Sequence, residues 1–372
     1  MPRPALALLL TLLAAPAAAQ VFQSSAGPVR VEAVGPELDT PWAMAFLPDF
    51  SETGAILVTE RGGALKLIEG ERAREIAGAP RVAASGQGGL LDVALSPSHA
   101  EDGLVYLSYA AAAPRGRANT HVARGRLDRA AGALTDVEVI FEMTSNASGG
   151  RHFGSRLVFA TDGTLFITTG DRGNRPSAQD LQSHNGKVHR INPDGSIPAD
   201  NPFAQGGGLP SIWSYGHRNA QGAARHPETG ALWTISHGAR GGDEINLPEP
   251  GRNYGWPVIS YGRHYSGGRI GEGTEKAGME QPLFYWDPSI APSGAAFYDG
   301  DLFPQWRGDL FVGALRGRRI ARVDLEGGEV VRDEPLFEGF GRVRDVRSGP
   351  DGALWFLADD DESRLYRVVP AS

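Results

Sequence analysis

The sequence predicts an all-β chain, a six-bladed β-propeller, on three observations. A strand–turn–strand unit recurs six times. The units are spaced widely enough to hold four short strands each. The composition is rich in turn formers, with 50 Gly and 26 Pro. Glycine reaches the backbone conformations of tight turns and proline breaks helix interiors, so these counts weigh against bundles and coiled coils.

In chain order, the first element is a leader. Met1-Pro2-Arg3 is followed by an apolar run over 5–14, then Pro16 and Ala17-Ala18-Ala19-Gln20. A positive start, a short apolar stretch and an A-x-A-like end make a secretory signal peptide, 1–19, cleaved after Ala19. The run is too short to span ~30 Å of hydrocarbon, so no membrane insertion is expected after cleavage. The expected location is a bacterial periplasm, with 20–372 as one propeller domain. The chain has no cysteine, which excludes disulfides, thiolate metal sites and cysteine nucleophiles. A chain of 372 residues buries a sufficient core without them. Its net charge of −8 lacks the basic footprint of a nucleic-acid binder.

The six units follow. They are 42–59 (WAMAFLPDFSETGAILVT), 91–108 (LDVALSPSHAEDGLVYLS), 157–168 (LVFATDGTLFIT), 222–236 (GAARHPETGALWTIS), 295–313 (AAFYDGDLFPQWRGDLFVG) and 346–358 (VRSGPDGALWFLA). In each, an alternating stretch gives one strand and Pro, Asp or Gly give the turn. A short apolar run ending in Ser, Thr or Ala gives a second, buried strand. The interval of roughly fifty to seventy residues leaves room for four strands and a loop, the spacing of propeller blades. Period-2 alternation disfavours helical solenoids; two unrelated sandwiches are the competing architecture.

A propeller gathers the loops between units at one mouth of a central channel, and these loops are unusually polar. They are GQGGLLD from Gly86, RHFGSR from Arg151, GDRGN from Gly170, YGHRN from Tyr215, GARGGDEIN over 238–246, NYGWP from Asn253, Ala314-Leu315-Arg316, and RVRD from Arg342. Arg218, Arg316, Arg342 and Arg344 all lie in them. Converging cations repel unless they share an anion, and guanidinium pairs bidentately with carboxylate or phosphate. The pattern points to a small polyanionic ligand, against the alternative of solvated surface arginines. His152 precedes the third unit, and Asp171 lies one strand pair later. A carboxylate on one ring nitrogen leaves the other free as a base; a structural histidine bonded to backbone is the plainer alternative. HExxH, GxSxG and Walker A sequences are absent. The run Asp359-Asp360-Asp361-Glu362 reads as a solvated turn rather than a calcium loop. The short basic cluster from Arg316 to Arg319 is weak as a nucleic-acid signal.

Taken together, PWAMAFLPD, GQGGLLD, RHFGSRLVF, YGHRNAQG, GGDEIN, NYGWP, DPSIAPSG and VRDVRSGPDG resemble the soluble quinoprotein sugar dehydrogenases, in particular the aldose sugar dehydrogenases related to glucose/sorbosone dehydrogenases. The resemblance runs from Pro41 to about Val368. It implies a six-bladed propeller, pyrroloquinoline quinone (PQQ) as cofactor, calcium as metal, an aldose as substrate and an external electron acceptor. It implies that Gln87, Arg218, Asn219, Tyr265, Ala314, Arg316, Arg342 and Arg344 surround the cofactor. His152 is then the base and Asp171 its support. Glu244 and Tyr254 match one calcium site, and the carbonyls of Gly238 and Ala239 match the place where a second calcium meets the cofactor. Arg316 stands where lysine is usual in the family, and Ala239 where proline is usual. The reading from another class is a non-catalytic propeller that binds sugars or a protein.

Overall fold

The computed structural model describes residues 20–145, 149–359 and 363–371. The predicted leader therefore lies outside the described residues, as do residues 360–362 of the acidic run. Strands form six antiparallel sheets, five of four strands and one of five. They are arranged as a six-bladed β-propeller. Helix among the described residues is confined to short turns such as Phe50–Thr53 and His99–Asp102.

Each predicted unit supplies the two inner strands of one blade. Blade one pairs Pro41–Phe46 with Ile56–Glu60, and blade two pairs Leu90–Leu95 with Leu104–Ala113. Blade three pairs Gly154–Phe159 with Leu165–Thr169, and blade four pairs Ala220–Arg225 with Leu232–Ser236. Blade five pairs Pro292–Phe297 with Leu310–Ala314, and blade six pairs Val343–Ser348 with Leu354–Ala358. Blade six is completed from both ends of the chain. Its third strand, Leu365–Pro370, pairs with Gly27–Val34 in the register Val31↔Val368, and Gln20–Ser24 lies outermost. This pairing removes the two sheet edges that an open ring would expose. Pro41 and Val368 thus fall in adjacent blades.

The hydrophobic core is divided among the wedges between neighbouring blades. Leu57 and Leu67 pack on Leu90 and Val93, and Tyr106 and Val122 on Leu157 and Ile167. Phe166 and Val188 meet Ala223 and Leu232, and Ile235 and Ile245 meet Leu310 and Val312. Phe311 and Ile320 meet Val346 and Phe356, while Met44 and Val58 meet Trp355 and Leu357 across the closure. Each sheet is buried on both faces, which is why the second strands read as continuous apolar runs.

All six inner strand pairs carry a register shift near the start of the inner strand, between Pro41/Ala43, Leu90/Val93, Gly154/Leu157, Ala220/Gly222, Pro292/Ala295 and Val343/Asp345. A bulge leaves a residue out of the ladder and re-aims its side chain. Here the re-aimed residues meet in the centre. Arg156 lies 4.3 Å from the Trp42 ring centroid and donates to Asp92 at 2.9 Å; Arg344 donates to Gln221 at 3.1 Å. The hydroxyl ending each of the first three apolar runs serves the same bulges. Thr59, Ser108 and Thr168 accept from Ala43, Asp92 and Arg156 N–H in their own blade. They donate to the Leu91, Ser155 and Ala220 carbonyls of the next blade, at 2.5, 2.6 and 2.9 Å. The bulges therefore lie under one mouth of the channel, and the polar loops sit above them.

Candidate active site

His152 ends the loop before the inner strand of blade three, and Asp171 follows that blade's second strand. Antiparallel pairing of Gly154 with Thr169 brings the two together. Asp171 Oδ1 is 2.6 Å from His152 Nδ1 and also accepts the Gly173 N–H at 2.7 Å. Its Oδ2 accepts the Trp256 indole N–H at 2.9 Å. The carboxylate is fully buried, while the imidazole keeps 11 % exposure, enough to face the channel. His152 has φ +58°, a left-handed backbone held by Gln87 Oε1 on its N–H at 2.7 Å. A Cβ on Gly170 would collide with the His152 carbonyl, so only glycine permits this approach.

Burial lowers the His152 pKa most; Asp171 opposes that through its hydrogen bond, and Arg218 and Arg151 add to the lowering. The ring is neutral at pH 7. Burial would raise the Asp171 pKa, but its hydrogen bond with His152, the Gly173 N–H and Arg218 hold it below the usual carboxylate range. With Nδ1 engaged by a carboxylate, Nε2 is the nitrogen left to take a proton.

The four predicted arginines divide among three cavities: Arg342 and Arg344 share one, Arg218 lines a second and Arg316 a third. A cavity of about 230 Å³ is lined by Trp42, Arg61, Gln87, Gln221, His237, Leu315, Arg342, Arg344 and Asp359. Arg344 is nearly buried; it donates to Asp359 at 2.7 Å, yet its Nε has no protein partner. Arg218, also nearly buried, donates to the His237 carbonyl, and its Nε has no partner either. Burial lowers the pKa of both guanidinium groups. Two buried donors without an acceptor fit a polycarboxylate that enters the channel. Arg342 is more open, with 42 % side-chain exposure. Asn219 Oδ1 accepts the Gly154 N–H and so ties blade four to the His152 turn. Tyr265 stands at the rim, 71 % exposed. Arg316 is exposed and lines an adjoining cavity of about 460 Å³ with Arg240, Arg263 and Asp287. Ala314 is fully buried at its strand end; its neighbour Leu315 reaches the first cavity.

The candidate metal residues divide. Glu244, Gly238 and Tyr254 line one small cavity of about 10 Å³, together with Ser236, Asn246 and Ser260. Glu244 has no ion-pair partner among the described residues, and burial pushes its pKa up to about 7. An uncompensated carboxylate among oxygen donors fits a hard cation such as calcium. The Tyr254 hydroxyl is bonded to the Leu247 carbonyl and the Glu249 N–H, so this residue has only its backbone carbonyl to offer. Ala239 is buried against Ala178, Trp256 and Ile270 rather than lining that cavity. Among the described residues no three His, Asp or Glu side chains gather as a metal cluster, so neutral oxygens, carbonyl or side-chain, would complete any site.

Sequence reasoning missed Arg61, His237, Trp256 and the role of Asp359. Asp359 is not part of a solvated turn: it is an ion-pair partner of Arg344 in the cavity wall. A positional signal existed. Arg61, Asp171, His237, Arg316 and Asp359 each lie one or two residues beyond the second strand of a blade.

Residues 38–367 match the glucose / sorbosone dehydrogenase family. The chain is 46 % identical over 348 residues to the aldose sugar dehydrogenase YliI of Escherichia coli, covering 92 % of this chain and 93 % of that one. The crystal structure of the soluble aldose sugar dehydrogenase of Escherichia coli in its apo form superimposes with a TM-score of 0.89 at 45 % identity, over 92 % of this chain and 100 % of that one. The PQQ-bound form of an aldose sugar dehydrogenase from Streptomyces coelicolor gives a TM-score of 0.77 at 30 % identity, over 92 % and 98 %. On the family match, these identities and the geometry of the channel mouth, the chain belongs to the glucose/sorbosone dehydrogenase family of oxidoreductases.

Proposed function

We propose that this chain is a periplasmic quinoprotein that oxidises aldoses at the anomeric carbon to lactones. The observation that carries this reading is the His152–Asp171 pair with Arg218 facing the imidazole, together with the Nε atoms of the buried Arg218 and Arg344, which lack acceptors. His152 Nε2 takes the proton of the anomeric hydroxyl as the hydride leaves the same carbon. Asp171 holds the imidazole in the tautomer with its proton on Nδ1 and stabilises the cation that forms. When bound, PQQ supplies a two-electron acceptor for the hydride, and calcium supplies Lewis acidity. Arg218, Arg342, Arg344, Arg316, Gln87 and Asn219 hold the cofactor, with Tyr265 at the rim and Ala314 behind the Arg316 turn. Glu244 and the Tyr254 carbonyl would hold one calcium, and the Gly238 and Ala239 carbonyls would serve a second. An external acceptor receives the two electrons and completes the cycle.

The periplasmic placement rests on the leader read at 1–19. Among the described residues no helix is long and apolar enough to cross a membrane. The test is reconstitution: purified apoprotein, PQQ and calcium, with an electron-accepting dye and a panel of aldoses. Dye reduction with lactone formation supports the reading. Sugar binding without dye reduction overturns it in favour of a binding module.

A further inference from the structure

Trp256 belongs to the long excursion of blade four between Asp243–Asn246 and Phe284–Trp286, which reaches over to the loops of blade three. The excursion is fastened there by backbone and side chain. Tyr254 N–H donates to the Tyr215 carbonyl at 2.8 Å, and Trp256 N–H to Gly216 at 2.9 Å. Gln179 donates to Asn253 Oδ1 at 3.0 Å and to the Trp256 carbonyl at 2.7 Å, while Asn253 returns a bond to Gln179 at 2.8 Å. The indole itself is 5 % exposed, packed on Ala178, Ala239 and Ile270. The guanidinium groups of Arg218 and Arg175 lie 5.3 and 5.4 Å from its ring centroid. It has little freedom to turn, and its N–H points at Asp171 Oδ2.

A buried indole needs an acceptor, and any backbone carbonyl would serve. Here the acceptor is instead the carboxylate that orients the proposed base. Oδ1 is shared by His152 and Gly173, so Trp256 is the donor that fixes the other oxygen and with it the carboxylate plane. We infer that Trp256 is a positioning residue: through Asp171 it sets the direction and basicity of His152, and it couples this pair to the turn carrying Tyr254 and to the loop carrying Ala239. The inference rests on the reading of His152 as the base. The charged and titratable groups facing the pair are Arg218 and Arg151 on the imidazole side, with His237 nearby, and Arg172 beside Asp171.

Trp256→Phe keeps most of the ring volume and deletes the donor. Loss of one hydrogen bond to a charged group predicts a kcat lower by roughly ten- to a hundredfold, with the aldose KM little changed. The carboxylate no longer shares its charge with the indole and pulls harder on the Nδ1 proton. The acid limb of kcat/KM therefore moves to higher pH by about half a unit or more. The same shift appears in the metal-free, cofactor-free apoprotein as a higher His152 midpoint in a nitrogen NMR titration, assigned against His152→Ala. Trp256→Leu, which carries no hydrogen-bond donor, repeats the measurement if the phenylalanine variant does not fold. An unchanged His152 titration and an unmoved acid limb in the folded variant, even with lower activity, reduce Trp256 to packing and overturn the proposal. If instead His152→Ala retains turnover, the reading of the base fails, while the apoprotein titration still decides whether Trp256 orients the pair.

Discussion

At the scale of single residues, the site depends on groups whose charge state is set by burial. The imidazole of His152 is neutral at pH 7, because burial and two arginines outweigh Asp171. Its acid limb should lie below the free-imidazole value of ~6.5, so kcat/KM should persist to mildly acid pH. His152→Ala should lose roughly 10²–10⁴-fold in turnover with saturating PQQ and calcium. PQQ affinity, read by fluorescence titration, should change little, since in the proposed mechanism the ring meets the sugar hydroxyl rather than a cofactor carboxylate. The arginines differ in what else they hold. Arg344 also bonds Gln221 and Asp359 inside the channel wall, so Arg344→Ala should cost folding stability as well as cofactor affinity. Arg342 is 42 % exposed in its side chain, and Arg342→Ala should weaken PQQ by roughly tenfold or more with the melting temperature nearly unchanged. Equal losses of stability in the two variants would contradict this division.

At the scale of elements, the repeated bulge is the feature that turns a ring of sheets into a site. It directs Arg156 into the centre, where it pairs with Asp92 at 2.9 Å and Asp345 at 3.0 Å and donates to the Gln221 carbonyl at 2.6 Å. Burial raises the Asp345 pKa against the pull of Arg156 and Arg347, as expected of a carboxylate that depends on its partners. Arg156→Met keeps the stem and removes the charge, leaving Arg347 to serve both aspartates. The loss should be about 3–5 kcal/mol, the usual result of breaking a buried pair from one side. A urea midpoint within error of wild type would mean that the centre repacks without cost. The blade-four excursion is the second element of note, since it brings Tyr254 and Trp256 to the channel mouth from outside the strand repeats.

At the scale of the whole molecule, two linkages follow. His184, His189, His217 and His237 are held neutral, chiefly by burial, the first at about 4 and the last two at about 3. Their folded pKa values lie below the unfolded ~6.5, so the unfolded chain binds more protons as pH falls. Stability present above pH 6.5 is therefore lost on descending toward pH 4, by up to about 1.4 kcal/mol per pH unit for each group. Thermal melts between pH 7.5 and 5 should show a steady fall; a flat profile would mean these rings accept protons while folded. The proposed calcium should act in the opposite sense. An ion bound only by the native ring raises its melting temperature by mass action, and Glu244→Gln should abolish most of that rise. An identical calcium response in the variant would remove Glu244 from the metal site.

The blade count, the inner strand pairs and most of the polar residues at the mouth were legible in the amino-acid sequence. Strand alternation and turn chemistry are local, and they repeat six times with little variation, so the pattern is visible without any contact map. The closeness of His152 and Asp171 was legible for the same reason, since they flank one hairpin. Which side chain each bulge sends to the axis emerged from the packed fold, because a one-residue shift in register changes the face and leaves no mark in composition. That fold alone placed Trp256 on Asp171, 85 residues apart in sequence, and Asp359 on Arg344 rather than in solvent. It alone closed the ring by pairing Val31 with Val368, a contact whose energy comes from sealing two sheet edges and not from any local preference of either strand.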